Sequence, residues 1–276
     1  MMIFSKYLLV VALAASLGAC EEVPEFNDGE AAPVVQAYLY AGEPVDDVRL
    51  TELVPFISET EEVPVIAESD IAILANGERY SLSPVPDSAG RYYYPGEDLT
   101  VTSGETYQLE FTYGGELVTA ETTVPPAPQA IAISQDVIAV PQILTRQDLR
   151  LIRDQFTQTI DITWDNDAGD YYYVLIENLE ERPEAIDVNE SLPRRFSYVS
   201  EPTRNNVFPL RLFLHYQQYG RHRVRLYRVN EEYADLYESL EQDSRNLNEP
   251  FSNVRNGLGI FTGFAYEEVY FEVKKS

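Results

Sequence analysis

Across 276 residues the chain sets 46 acidic side chains against 20 basic ones, a formal net charge of −26, with 45% hydrophobic residues and one cysteine. Such acidity excludes nucleic acid as a partner, since phosphate binding needs lysine and arginine, and it disfavours electrostatic adhesion to anionic lipid. A single thiol excludes an internal disulfide framework and cysteine-ligated zinc.

Residues 1–19 read as a signal peptide. Lys6 carries the charge, Tyr7 to Leu17 form an apolar run, and Gly18 and Ala19 are the small residues before a cleavage point. The run is about half of the roughly 20 residues that a membrane-crossing helix needs. Leu17-Gly18-Ala19-Cys20 is a lipobox, which makes Cys20 the predicted lipidation site and the membrane contact. Two or more acyl chains, at about 0.8 kcal/mol per buried methylene, hold a protein on a bilayer where one chain does not. Residues 20–32 are acidic and poor in apolar side chains, the composition of a mobile tether.

Residues 33–124 alternate in short runs. Val34–Leu39, Val48–Leu53 and Ile71–Ala75 read as strands, and Asn76-Gly77 joins the last of these to Glu78–Leu82 in a two-residue hairpin. Gly114-Gly115 links Tyr107–Tyr113 to Glu116–Val124, with Tyr107, Leu109, Phe111 and Tyr113 on one face. Close-set strands without a helical stretch predict an immunoglobulin-like β-sandwich.

Prolines at 125, 126 and 128 lack amide donors, end the last strand and favour an extended connector, so residues 125–129 are the predicted linker. The charge changes across it. Residues 20–128 hold 22 acidic and 3 basic side chains, whereas 129–276 hold 24 and 16.

Residues 130–276 read as a β-rich α+β domain with one prominent helix. Thr157–Trp164 and Tyr171–Glu177 alternate and predict a hairpin, and a short helix is expected within Gln147–Phe156. Gly220–Val229 is a strand with Val224 and Leu226 inward. Asn230 caps a helix over about 231–243, because acids fill its first turn and Tyr233, Leu236, Tyr237 and Leu240 recur at helical spacing. A final strand lies near Val269–Val273.

Few residue patterns carry chemistry. Asp165, Asp167 and Asp170, around Asn166 and Gly169, form the candidate calcium site, since a hard cation takes six to eight oxygen ligands. The EF-hand glutamate is missing, and the same residues are ordinary turn formers. His215 and His222 are the only imidazoles, and neither adjoins a nucleophile elbow. With so many acids, paired carboxylates for hydrolysis are uninformative. Gly257, Gly259 and Gly263 miss dinucleotide-loop spacing and predict tight backbone packing instead. Arg221, Arg223 and Arg225 share a strand face, where they meet an acidic ligand or pair with the chain's own carboxylates; Tyr92–Tyr94 and Tyr171–Tyr173 offer aromatic surface for core packing or sugar stacking.

Ser252-Asn253-Val254-Arg255-Asn256-Gly257-Leu258-Gly259-Ile260-Phe261 near the chain end, Val34–Leu39 soon after the cysteine, Val124-Pro125, and Trp164-Asp165 followed by Tyr171-Tyr172 occur in an order that resembles a Bacteroidetes lipoprotein family catalogued as domain of unknown function 4249. The resemblance implies an outer-membrane lipoprotein often encoded beside a TonB-dependent receptor, with no established activity and no functional residues to carry over. The expectation is a lipid-anchored, non-enzymatic accessory or binding component in nutrient uptake, without a resident cofactor. The alternatives are a stand-alone glycan-, peptide- or calcium-binding surface lipoprotein and, third, a hydrolase.

Overall fold

The structure is a computed structural model that describes residues 31–53, 64–67, 69–145, 147–150, 158–188, 195–241 and 251–276. Cys20 and residues 20–30 of the predicted tether therefore lie outside the described residues, as does most of the short helix expected within 147–156, whereas Ala32, the last tether residue, is buried and accepts from the Leu53 amide at 2.8 Å as part of the fold. Its described part is a 3-10 turn at Asp148–Arg150.

The first half supplies β1 (Pro33–Tyr40), β2 (Asp47–Glu52), β3 (Ala72–Ala75), β4 (Glu78–Ser81), β5 (Ser83–Pro84), β6 (Arg91–Tyr93), β7 (Thr106–Tyr113) and β8 (Glu116–Thr123). The second supplies β9 (Gln129–Ile133), β10 (Val137–Val140), β11 (Ile160–Asp165), β12 (Tyr171–Asn178), β13 (Ser197–Val199), β14 (Val207–Leu210), β15 (Gly220–Val229), helix α1 (Glu231–Glu241), β16 (Val254–Arg255) and β17 (Leu258–Lys275). The protein is thus mainly β with one α-helix among the described residues.

Both predicted hairpins of the first half form. Asn76 and Gly77 take positive φ values of 52° and 81°, as a tight turn between right-twisted strands requires. β7 and β8 pair from Thr106↔Thr123 to Tyr113↔Glu116 across Gly114 and Gly115. The hairpin predicted between the Trp164 and Tyr171 strands does not form. β11 pairs with β14 and β9 in a three-stranded sheet, while β12 pairs with β13 and β15 in another. Burial explains the separation. Ile160, Ile162 and Trp164 on β11 and Tyr172, Val174 and Ile176 on β12 all enter one core, so the two apolar strand faces oppose each other across it instead of lying side by side. Trp164 and Tyr172 meet there with ring centroids 5.5 Å apart.

One nine-stranded sheet runs β13-β12-β15-β17-β1-β2-β6-β5, with β10 also against β17. A five-stranded sheet runs β16-β8-β7-β3-β4. The first core joins these two: Val35, Leu39, Val48, Leu50 and Tyr92 come from the large sheet, and Ile73, Leu109, Phe111 and Val118 from the smaller. The second core lies between the β12–β15–β17 part of the large sheet and the three-stranded sheet, with Val224, Leu226, Phe271 and Val273 against Ile160, Ile162 and Leu210. Each buried aliphatic or aromatic side chain contributes about 1.5–3 kcal/mol by leaving water.

β17 lines both cores. Phe261 belongs to the first, Phe271 and Val273 to the second. The sequence pattern shows only its last segment, because alternation is lost over Ile260–Ala265, where every residue is buried on both faces. Its start pairs in parallel with β1, from Val34↔Leu258 to Tyr40↔Phe264. The glycines of the closing motif serve that approach. A Cβ on Gly259, whose φ is +105°, would lie 2.0 Å from the Val35 carbonyl oxygen, and one on Gly263 would lie 2.8 Å from Val124 Cα. Pro125 and Pro128 are buried, so the connector is packed where it passes from one half to the other.

Helix α1 covers the other face of the large sheet. Its Tyr233 joins Tyr173, Tyr227, Val229 and Phe264 in a third, aromatic cluster, with Tyr173 stacked on Tyr227 at 4.7 Å. Asn230 precedes the helix as expected, but its amide reaches sideways. Nδ2 donates to Thr122 Oγ1 at 3.0 Å, the Thr123 carbonyl at 2.9 Å and Glu232 Oε1 at 3.1 Å, which ties the helix start to β8.

Candidate functional site

Where the connector leaves β8, a cleft of about 430 Å³ opens between Thr123–Pro126, the turn at Ala168–Tyr171, Arg204, and the end of β15 with the start of α1. That volume falls within the range of small-molecule sites. Arg228 continues the inward series His222, Val224, Leu226 one step beyond the second core, where its guanidinium meets the Asp170 carboxylate. Arg204 lies over the Tyr171 ring, 4.1 Å from its centroid, and donates to Glu231 Oε1 at 3.0 Å. Its pKa is raised, first by hydrogen bonding with Tyr171 and then by the nearby Glu231 carboxylate, so the group is permanently cationic.

Asn166 builds this corner. Its Oδ1 accepts from the Asp170 amide at 2.8 Å, and its Nδ2 donates to the Asp170 and Arg204 carbonyls at 2.9 and 2.8 Å. Thr203 and Tyr172 exchange two main-chain hydrogen bonds of 2.7 and 2.8 Å, an isolated bridge that fixes the segment from which Arg204 projects. One asparagine therefore holds together the main chains of Asp170 and Arg204, which are 34 positions apart in the chain.

The three aspartates of the calcium candidate stand differently from one another. Asp170 is held by Arg228, whose positive charge opposes a cation at the same carboxylate. Asp165 and Asp167 are exposed, and Asn166 is occupied with main-chain hydrogen bonds. Among the described residues no group of three or more His, Cys, Asp or Glu side chains is disposed to hold a metal ion.

Both histidines are packing residues. His222 is 1% exposed and stacks on Phe271 at 4.7 Å. Its Nδ1 faces the Gly220 carbonyl at 3.1 Å and its Nε2 the Asn178 amide nitrogen at 3.2 Å. A neutral ring with the proton on Nδ1 satisfies both contacts. Burial lowers its pKa from 6.5 to about 4. His215 packs against Tyr198 and Phe208, and burial, then Arg211, lowers its pKa to about 4 as well.

The arginines of β15 pair within the chain. Arg223 Nη2 meets Glu177 at 2.8 Å, Arg225 Nε meets Glu268 at 2.7 Å, and Arg221 and Arg225 lie over Tyr270 and Tyr266. The tyrosine runs divide between environments. Tyr172 enters the second core, Tyr173 the aromatic cluster, and Tyr171 the cleft.

A larger hollow of about 530 Å³ opens beside the second core between Gln135, Val140, Gln158, Ile160, Leu212 and Tyr216. Its described lining carries no charged group.

Among solved structures, the chain is similar to one from a study of host cell surface retention of a 1.5-MDa bacterial ice-binding adhesin. Identity is 13% over 91% of this chain and 67% of that one, with a TM-score of 0.23, too low to transfer topology. No curated protein matches the chain. The sequence profile of one family matches residues 21–269, and the chain belongs to that family, described as a domain of unknown function (DUF4249).

Proposed function

We propose that the protein is a non-enzymatic binding or accessory component, held on the outer membrane by acyl chains on Cys20 and working beside a TonB-dependent receptor in nutrient uptake. The observation that carries this reading is the Leu17-Gly18-Ala19-Cys20 lipobox, followed by the acidic stretch 20–32. The body supports it through its site chemistry. The charged side chains of the cleft are arranged as guanidinium–carboxylate pairs, the chemistry of recognition, and the two imidazoles are committed to packing.

Two measurements test the reading. Cys20→Ala should move the protein out of the membrane fraction or leave its signal peptide uncleaved. Affinity purification of the lipidated protein from native membranes should recover a TonB-dependent receptor; recovery of no envelope partner would remove the receptor from the account.

A further inference from the structure

The two ion pairs of the cleft differ in how firmly they are held. Arg228 and Asp170 have side-chain exposures of 19% and 33%, whereas Arg204 and Glu231 stand at 53% and 70%. An exposed pair of the second kind contributes about 0–1 kcal/mol, so Glu231 can turn into water at little cost. Arg204 stays in place when it does. Its guanidinium rests on Tyr171, and its main chain is fixed through Asn166 and the Thr203–Tyr172 bridge. The result is a pre-oriented cation at the mouth of a cavity, with a carboxylate from the same chain resting on it.

We propose that the cleft binds a small carboxylate-bearing solute, whose carboxylate replaces that of Glu231 on Arg204 while its body lies between Tyr171 and the exposed Pro126. Exchanging one carboxylate for another leaves the charge balance at Arg204 unchanged. The net gain then comes from burying the rest of the solute against Pro126 and Tyr171, as at other largely preformed sites. A planar guanidinium favours carboxylate because its donors match the two oxygens in a fork. The cavity of about 430 Å³ admits something the size of a disaccharide or a dipeptide, so the carboxylate of a uronic acid and the C-terminus of a peptide are its two sources. The inference concerns what the body binds and is independent of the membrane anchor and of the receptor.

Isothermal titration of the full chain tests it with three probes: digalacturonate, the dipeptide alanyl-alanine, and neutral maltose. At least one carboxylate probe should bind and maltose should not; which of the two acids binds identifies the source. Glu231→Gln, which removes the internal competitor, should tighten binding several-fold. Arg204→Met should weaken it about tenfold or more, the scale of a charge-assisted contact. Both side chains are exposed, so unchanged circular dichroism is expected for each variant. The proposal is overturned if neither acid binds wild type or Glu231→Gln at millimolar concentration, if maltose binds as well as the acids, or if Arg204→Met leaves affinity unchanged. Receptor copurification is a separate readout, so either result can fail while the other stands.

Discussion

The two cores flanking the connector are made of different material. The first is aliphatic and aromatic, and its strands supply side chains in plain alternation, as on β7 with Tyr107, Leu109 and Phe111. Each core encloses a tyrosine hydroxyl, Tyr92 donating to the Ile66 carbonyl at 2.8 Å in the first and Tyr219 to the Val140 carbonyl at 3.1 Å in the second, but the second also holds an imidazole, His222, stacked on Phe271. Both draw on strands far apart in sequence, the first from β1 to the start of β17 and the second from β10 to its end. What the two share is β17, and the lesson is that a boundary marked by composition need not divide the hydrogen bonding. One sheet carries both cores.

The largest expected effect breaks that shared strand. Gly259→Ala places a methyl group against the Val35 carbonyl in a backbone conformation that L side chains rarely adopt, and it should cost about 3 kcal/mol or more. Denaturant unfolding followed separately by the signal of Trp164, in the second core, and by far-UV circular dichroism should show both moving together. If only one probe moved, the halves would be independent units.

Next come the cores themselves. Leu109→Ala in the first should cost about 2–5 kcal/mol and Phe271→Ala in the second about 3–5 kcal/mol. Each should lower a single common transition, because β17 couples them. Two resolved transitions in a calorimetric scan of either variant would show that the coupling is weak.

Acid should separate the cores. The His222 pKa is depressed to about 4 in the fold, while the unfolded chain takes up its proton near 6.5. The contribution is therefore intact above pH 6.5 and is lost as pH falls toward 4, up to about 3 kcal/mol in all. His222→Gln should have a lower starting stability but a flatter fall over that window, and Leu109→Ala should keep the wild-type slope. Equal slopes in wild type and His222→Gln would contradict the neutral, buried ring.

The joint between the halves is worth less. Asn230→Ala removes amide contacts to Thr122, Thr123 and Glu232 and should cost about 1–2 kcal/mol in a thermal melt. Arg204→Met, in the same region, should change stability by no more than about 0.5 kcal/mol, as expected of an exposed ion pair, while changing affinity.

Local structure was legible wherever local chemistry decides it. Asn76-Gly77 and Gly114-Gly115 announce their hairpins, alternation marks β1, β7, β8 and β15, and acids after Asn230 mark α1. Strand partners were not legible beyond those two hairpins. Alternation says which residues face inward but not across which strand, so β11 and β12 look like a hairpin until their shared core places them in different sheets. The candidate site was hidden for the same reason. Arg204, Tyr171 and Glu231 stand apart in the chain, and Asn166, which reads as a turn former, is also the residue that brings two of its parts together. The Arg221–Arg225 series drew notice by its density, yet its members meet Glu177, Glu268 and tyrosines of the same sheet.

The proposed function rests on Cys20, and mass spectrometry of the protein purified from native membranes addresses it directly. The account predicts a mature chain whose first residue is Cys20, bearing diacylglycerol and consistent with the 257 residues that follow cleavage after Ala19. An unmodified Cys20, or an N-terminus at another position, would contradict it.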